Sequence, residues 1–153
     1  MKHLRRFNES LSSNEYDELK EFSENCLAYL LDDGFEVKLV DRYGRDSNDP
    51  SYYEDTEYFW IDLYGPWDEP DRYGDQTKVG FIWNEIKDYY IPFLKMINTR
   101  YVLVDDEGDV VYFKIKEGVD VDTEFWFKLD EVIDDKITLD SIYSVSIKVS
   151  SKK

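Results

Sequence analysis

Few side chains in this 153-residue sequence have the type and spacing that catalysis requires. The chain holds one histidine, His3, and one cysteine, Cys26, which excludes most histidine-built sites, a disulfide framework and a cysteine-cluster metal site. Cys26 falls on the apolar side of a predicted helix, where burial raises the pKa of a thiol and makes it a poor nucleophile. The sequence contains no glycine-rich phosphate loop, nucleophile elbow or zinc-binding His-Glu helix. These patterns argue against an enzyme.

Two acidic loops, residues 46–49 and 105–109, carry oxygen ligands suited to calcium. Neither has the Asp-x-Asp-x-Asp-Gly order with a later Glu that completes a calcium cage. We therefore expect no metal and no other cofactor.

One constellation resembles a nuclease site: Asp62 on a predicted strand, and an E-x-K sequence at Glu85 and Lys87. If residues 79–87 form a strand, alternation places Glu85 and Lys87 on one face. The set then resembles the PD-(D/E)xK nuclease pattern. The resemblance implies that Asp62 and Glu85 hold Mg²⁺ while Lys87 activates or positions water. Asn84, which interrupts the preceding apolar run, and the lack of a Pro-Asp before Asp62 are departures from that family. In the competing interpretation Glu85 and Lys87 lie in the first turn of a helix and face water.

Residues 41–75 combine negative charge with aromatic side chains. They include eleven acidic residues, three arginines and nine aromatic residues. A predicted strand over 57–64 accounts for four of the aromatics, and five remain in polar loops: Tyr43, Tyr52, Tyr53, Trp67 and Tyr73. Tyrosine, tryptophan and arginine dominate binding hot spots. We predict a partner-binding surface at Arg42, Tyr43, Trp67, Arg72 and Tyr73; the alternative is that these rings fold back over the sheet edge.

The net charge of −16 restricts the partners of the chain. It opposes direct binding to nucleic acid or to an anionic membrane and favours a protein partner with a basic surface. No apolar run approaches the roughly 20 residues of a membrane-spanning helix, and the basic start lacks a secretory apolar stretch. We therefore expect a cytoplasmic protein.

Helical periodicity is clearest over residues 12–33, where Ser12 and Glu15 have the spacing of a capping box. Gly34 is predicted to be the C′ residue, followed by a strand over 35–40. Over 79–98 two interpretations remain open. A helix begins near Asn84 and contains Pro92, or a strand over 79–87 precedes a helix that begins at Ile91.

The second half of the chain is predicted to be mainly β. Residues 100–106 and 109–116 flank a Glu-Gly turn typical of a hairpin, and further strands are predicted over 123–129 and 141–149. Residues 130–135 are predicted to form a short helical turn. The predicted fold class is α+β, with two main helices on a mostly antiparallel sheet of about five strands in the order α-β-β-α-β-β-β. We expect an N-terminal tail over 1–11 and a single domain over 12–150.

The first nine residues match an M-K-x-[IL]-x-x-F-x-E pattern at Met1, Lys2, Leu4, Phe7 and Glu9. This start resembles that of small proteins of tailed bacteriophages. In T-even-like phages such segments direct internal proteins into the prohead and are cut after a hydrophobic-x-Glu step. The resemblance implies phage origin, an infected host cell or the virion as the location, and cleavage after Glu9, although Phe7 stands where the family prefers Leu or Ile.

The sequence therefore favours a non-enzymatic acidic protein-binding module, encoded by a phage and acting on a host or phage protein. The alternatives are a Mg²⁺-dependent nuclease, an internal virion protein and an acidic mimic of DNA.

Overall fold

The computed structural model describes residues 13–41, 58–74, 79–103, 109–117, 121–139 and 142–152. Within these ranges four helices and six strands follow one another in the order α-α-β-β-α-β-β-β-α-β. Their bounds are α1 Ser13–Cys26, α2 Ala28–Asp32, β1 Glu36–Asp41, β2 Phe59–Tyr64, α3 Trp83–Arg100, β3 Tyr101–Leu103, β4 Asp109–Glu117, β5 Val121–Lys128, α4 Leu129–Ile133 and β6 Ile142–Lys152.

The described strands form one antiparallel sheet in the order β1-β2-β6-β4-β5, and β3 also pairs with β6. The predicted α+β class and the antiparallel sheet are confirmed. Each of the six strands overlaps a segment predicted to be a strand, although the predicted order counted only five, and α4 falls where a helical turn was predicted over 130–135. The short helix α2 lies within the helix predicted over 12–33. The N-terminal segment 1–12, which includes Ser12 of the predicted capping box and the phage-like start, lies outside the described residues.

The single helix predicted over 12–33 is interrupted at Leu27, between α1 and α2. Hydrogen bonding continues through the interruption, because Leu27 donates to the Ser23 carbonyl at 3.1 Å and accepts from Leu31 at 3.0 Å. The buried Ser23 hydroxyl donates to the Leu19 carbonyl at 2.8 Å. Such bonds to the carbonyl four residues earlier bend helices, and we attribute the interruption one turn later to this bond.

Gly34 ends the helical region as predicted. Its φ is +93°, its N–H donates to the Leu31 carbonyl at 3.0 Å, and the N–H of Phe35 donates to the Leu30 carbonyl at 3.0 Å. These two bonds define a Schellman motif, in which the left-handed C′ residue is usually glycine. The chain thereby reverses directly into β1.

The predicted hairpin between 100–106 and 109–116 is wrong. Both β3 and β4 run antiparallel to β6, so they point in the same direction and cannot form a hairpin with each other. Val149 pairs with β2 and β3, and Ile147 pairs with β2 and β4. Since a strand has only two edges, β3 and β4 lie end to end along the edge of β6 opposite β2.

Helix α3 settles the two interpretations of residues 79–98. It begins at Trp83, with Ile82 in extended conformation as N-cap, and contains Pro92. The strand predicted over 79–87 is therefore wrong, and the helix containing Pro92 is confirmed. Buried residues recur along one face of α3 at helical spacing: Trp83, Ile86, Tyr90, Phe93, Leu94 and Ile97. Their burial outweighs the backbone hydrogen bond that Pro92 removes, because each large apolar side chain contributes about 1.5–3 kcal/mol.

The core lies between the helices and one face of the sheet. Alternate residues of β2 and β6 are buried there: Phe59, Ile61, Leu63, Val145, Ile147 and Val149. They share one apolar cluster with helix residues such as Leu19, Leu30 and Phe93. The residues of β2 that alternate with them, Trp60, Asp62 and Tyr64, therefore face the other side of the sheet.

That second face of the sheet is rich in aromatic and cationic groups. The rings of Trp60 on β2 and Trp126 on β5 are 6.2 Å apart, although β6 and β4 lie between them. Three strand spacings amount to about 14 Å, so the two rings lean towards each other across the sheet. The Lys148 ammonium lies 4.8 Å from the centroid of the Trp60 ring. Asp62 belongs to this face, which is the face opposite α3.

Candidate protein-binding surface

Two segments that are separate in sequence meet at the base of the predicted surface. The N–H of Val79 donates a hydrogen bond of 2.7 Å to the Pro66 carbonyl oxygen. Gly65 lies so close to the same segment that a Cβ at this position would collide with the Val79 carbonyl oxygen. The loop after β2 and the segment before α3 therefore share one tightly packed base.

The segment before α3 is in turn anchored to the sheet and the core. Phe81 exchanges two backbone hydrogen bonds with Ile142 at the start of β6, at 2.9 and 2.7 Å. The buried ring of Phe81 lies 5.3 Å from that of Phe35. Because this base is fixed, a partner that covers Trp67 incurs a smaller loss of conformational entropy than one that covers a residue on a free loop.

Trp67 and Tyr73 expose large rings above this base. Trp67 is 49% exposed and Tyr73 is 73% exposed. The Arg72 guanidinium lies 4.7 Å from the centroid of the Tyr73 ring, which is a cation–π distance. The stacked pair presents a flat, amphipathic surface of the kind found at binding hot spots.

The tetrapeptide that carries Arg72 and Tyr73 forms a hydrogen-bonded turn. Asp71 accepts the N–H of Tyr73 through its carboxylate at 2.8 Å and the N–H of Gly74 through its carbonyl at 3.0 Å. Gly74 has a φ of +82°, which a side chain would disfavour. The same letters, Asp-Arg-Tyr-Gly, also occur at residues 41–44.

Three of the five predicted partner-binding residues are thus described, and they lie on one loop, residues 65–74. The structure brings Arg72 and Tyr73 into contact. The other two residues, Arg42 and Tyr43, lie outside the described residues, as do Tyr52 and Tyr53.

Val79 and Ile82 are further exposed apolar residues on the segment that precedes α3, and sequence reasoning missed both. Each is exposed, whereas Phe81 between them is buried. The available signal was the short apolar run over residues 79–82, directly before the helix. A run of this length cannot bury every side chain, so exposure of some of its residues could have been expected. We use the name loop surface for residues 65–74 together with residues 79–82.

The three residues of the nuclease alternative are not brought together. Asp62 faces the side of the sheet opposite α3, where its carboxylate accepts a hydrogen bond of 3.2 Å from the Tyr64 hydroxyl. Glu85 is exposed in the first turn of α3. Residues two apart on a helix are separated by about 200°, so Glu85 and Lys87 point in different directions. The strand geometry on which the nuclease resemblance depended is therefore wrong.

Lys87 has a structural partner instead. Its ammonium donates to Asp135 Oδ2 at 2.8 Å, while the Trp83 indole N–H donates to Asp135 Oδ1 at 2.7 Å. The hydrogen bonds from Lys87 and then Trp83 lower the pKa of Asp135, and the hydrogen bond to Asp135 raises the pKa of Lys87. Lys87 thus joins α3 to the turn after α4.

Cys26 behaves as a packing residue in the described structure. It is half-buried against the core cluster. Burial raises the pKa of its thiol, and the nearby Arg100 charge opposes this increase. A raised pKa disfavours the nucleophilic thiolate.

Among the described residues, no three His, Cys, Asp or Glu side chains are grouped as metal ligands would be. No described helix combines the length and apolar character needed to cross a membrane. Comparison with known proteins gives no matching family model, no matching curated protein and no matching solved structure.

Proposed function

We propose that this chain is a non-enzymatic protein-binding module that engages a partner through the loop surface. The observation that supports the proposal is the exposure of Trp67 and Tyr73 on a loop whose base is held by backbone contacts to Val79. A tryptophan and an arginine-stacked tyrosine bury much area with little loss of side-chain entropy when a partner covers them.

The partner carries a basic surface. Asp68, Glu69 and Asp71 lie on the same loop as the exposed rings, and the whole chain has a net charge of −16. This field accelerates encounter with a positively charged protein and repels nucleic acid. In the setting that the N-terminal resemblance suggests, the module is a phage accessory protein that acts on a host or phage protein in the infected cell.

A quantitative pull-down tests the proposal. The intact chain is immobilised and incubated with bacterial lysate, in parallel with a Trp67→Ala/Tyr73→Ala variant and a Val102→Ala variant. Val102 is an exposed apolar residue of β3, outside the loop surface, and serves as the matched control. We expect at least one basic protein to be retained by the original chain and by Val102→Ala. The double variant should retain about tenfold less of that protein, or lower still.

Circular dichroism and thermal unfolding of each variant establish that the fold is retained. Equal retention of every protein by the double variant and the original chain would contradict a binding role for this loop. Magnesium-dependent cleavage of DNA by the purified chain, lost in Glu85→Ala, would contradict a non-enzymatic function.

A further inference from the structure

Helix α3 has a second apolar stripe, on its solvent side. Tyr89, Pro92 and Met96 follow one another at intervals of three and four residues, and all three are exposed. The exposed fraction of Met96 is 42%. This stripe is separate from the buried face that contains Tyr90 and Phe93. Packing against the core requires only one apolar face of α3, so the second, exposed stripe indicates a surface that another molecule covers.

The stripe continues across the seam between α2 and α3. The rings of Tyr29 on α2 and Tyr89 on α3 are 5.6 Å apart, and they are 70% and 39% exposed. Because most of the Tyr29 side chain stays in water, the contact between the two rings adds little to the free energy of unfolding of the chain without a partner. We call Tyr29, Tyr89, Pro92 and Met96 the seam surface.

Pro92 adds a hydrogen-bonding feature to the seam surface. Proline has no N–H, so the carbonyl of Asp88 lacks the donor that the fourth following residue normally supplies. This acceptor lies one residue from Tyr89 on the same helix. A donor from a partner, such as a guanidinium N–H, suits it.

The polar residues beside the seam surface are mainly acidic. Asp32 and Asp33 follow Tyr29 by three and four residues, which places them beside it, and Glu85 precedes Tyr89 by one helical turn. Asp32, Asp33, Glu85 and Asp88 are all exposed. Of the nearby lysines, Lys87 is paired with Asp135, and Lys95 lies towards the Met96 end. A second copy of this chain would place the four carboxylates against like charges and repel them, whereas a cationic partner provides opposite charges.

From this geometry we propose that the seam surface binds an amphipathic helix of a partner protein, with lysine or arginine beside its apolar stripe. Tyr89 and Met96 are seven residues apart, or about 10 Å along the axis, which is the distance between apolar anchors two turns apart on a docked helix. The basic end of that helix lies over Tyr29 and the four acids. This surface is distinct from the loop surface and does not depend on it.

The test uses a defined probe, a fluorescein-labelled helical peptide of about 18 leucine and lysine residues with leucine on one face. One control peptide has glutamate in place of lysine. A second has the same composition in a scrambled order without an apolar face. Binding to the intact chain is followed by fluorescence anisotropy at low and at high salt.

We expect the patterned cationic peptide to bind, with an affinity that falls as salt rises. A Tyr29→Ser/Tyr89→Ser variant should bind it about tenfold more weakly or worse. Val102→Ser, a substitution of an exposed apolar residue on β3 outside both surfaces, should leave binding unchanged. Thermal unfolding confirms that each variant is folded.

Absence of binding by the patterned peptide would overturn the proposal. So would equal binding of the scrambled peptide, because charge alone would then explain it, or equal binding by the double tyrosine variant. Sedimentation velocity supplies the remaining outcome: a dimer of the intact chain that the double variant lacks would assign the seam surface to a second copy instead.

Discussion

Lys87 on α3 and Asp135 after α4 are joined by an ion pair of 2.8 Å, and the same carboxylate accepts the indole N–H of Trp83 at 2.7 Å. Asp135 holds a left-handed φ of +55° while making both contacts. Its N–H bonds to the Val132 carbonyl at 3.1 Å, and the N–H of Lys136 bonds to the Glu131 carbonyl at 3.0 Å. Asp135 therefore ends α4 as a Schellman C′ residue and also links two helices.

Asp135→Ala should destabilise the fold more than Lys87→Ala. The first substitution leaves the N–H of the buried Trp83 without its acceptor and places a Cβ-only side chain in the left-handed region, whereas the second removes one exposed ion pair. Urea unfolding of both variants measures the order of the two effects. Equal midpoints would show that the Trp83 hydrogen bond contributes little.

The same contact predicts a pH dependence. The pKa of Asp135 lies below its ordinary value of 3.8, so its stabilising effect is complete above that pH and is lost as the pH falls through the lowered pKa. The pKa of Lys87 lies above 10.5, so its contribution is complete below that pH and is lost as the pH rises through the raised pKa. Asp135→Asn keeps an acceptor for Trp83 but removes the charge.

The difference in unfolding free energy between the original chain and Asp135→Asn should therefore form a plateau between these limits and shrink at both ends. Urea titrations across the pH range measure this difference. A difference that stays constant into strong acid would show that the pKa of Asp135 is not lowered by folding.

Local sequence signals identified the elements whose stability is decided locally. The periodicity of residues 12–33 indicated helical structure, which is found over 13–32 with an interruption at Leu27. The glycine at position 34 and the aromatic strand ending at Tyr64 also indicated structures that were found. The hairpin prediction failed because a Glu-Gly turn signal contains no information about β6, whose residues pair with both segments from 27 to 51 residues further along the chain. Strand pairing is a long-range property that local chemistry does not encode.

The candidate site was only partly predictable for a related reason. Loop position and residue type indicated that Trp67 and Tyr73 were candidates for exposed rings. Exposure of Val79 and Ile82 depends on the long-range pairing of Phe81 with Ile142, and the solvent-facing stripe at Tyr89 and Met96 depends on which side of α3 packs against the core. An apolar residue in sequence does not show whether it packs inward or faces a partner.

Tyr90→Phe should stabilise the protein. Among the described residues, Tyr90 has a fully buried hydroxyl without a hydrogen-bond partner. Burial, followed by the charge of Asp62, raises the pKa of Tyr90, so the group stays neutral. Removing an unsatisfied buried hydroxyl should raise the free energy of unfolding by about 1–3 kcal/mol.

Tyr64→Phe is the matched control, because its hydroxyl donates to Asp62 at 3.2 Å. It should lower the free energy of unfolding by about 0.5–1.5 kcal/mol. Chemical denaturation of both variants compares the signs. Loss of stability in Tyr90→Phe would mean that its hydroxyl has a partner, such as an internal water.

Pro92→Ala should stabilise α3, by up to about 3 kcal/mol, because alanine restores the N–H that the Asp88 carbonyl lacks. If that carbonyl contributes to binding at the seam surface, the same variant should bind the cationic helical peptide more weakly. Thermal unfolding and peptide anisotropy on one sample measure both effects. A variant that gains stability and keeps full affinity would remove the Asp88 carbonyl from the interface but leave the tyrosine pair in place.

Gly65→Ala should disrupt the base of the loop surface. Its Cβ would meet the carbonyl oxygen of Val79, which is backbone and cannot move aside as a flexible side chain does. We expect a loss of about 1–3 kcal/mol in the free energy of unfolding from overpacking, together with weaker partner retention because Trp67 is displaced. Gly74→Ala is the matched comparison, since a Cβ there meets open space and only its φ of +82° is unfavourable, at about 1–2 kcal/mol. Asparagine at position 74 should recover part of that loss, whereas no side chain at position 65 should, and this contrast separates collision with backbone from conformational strain.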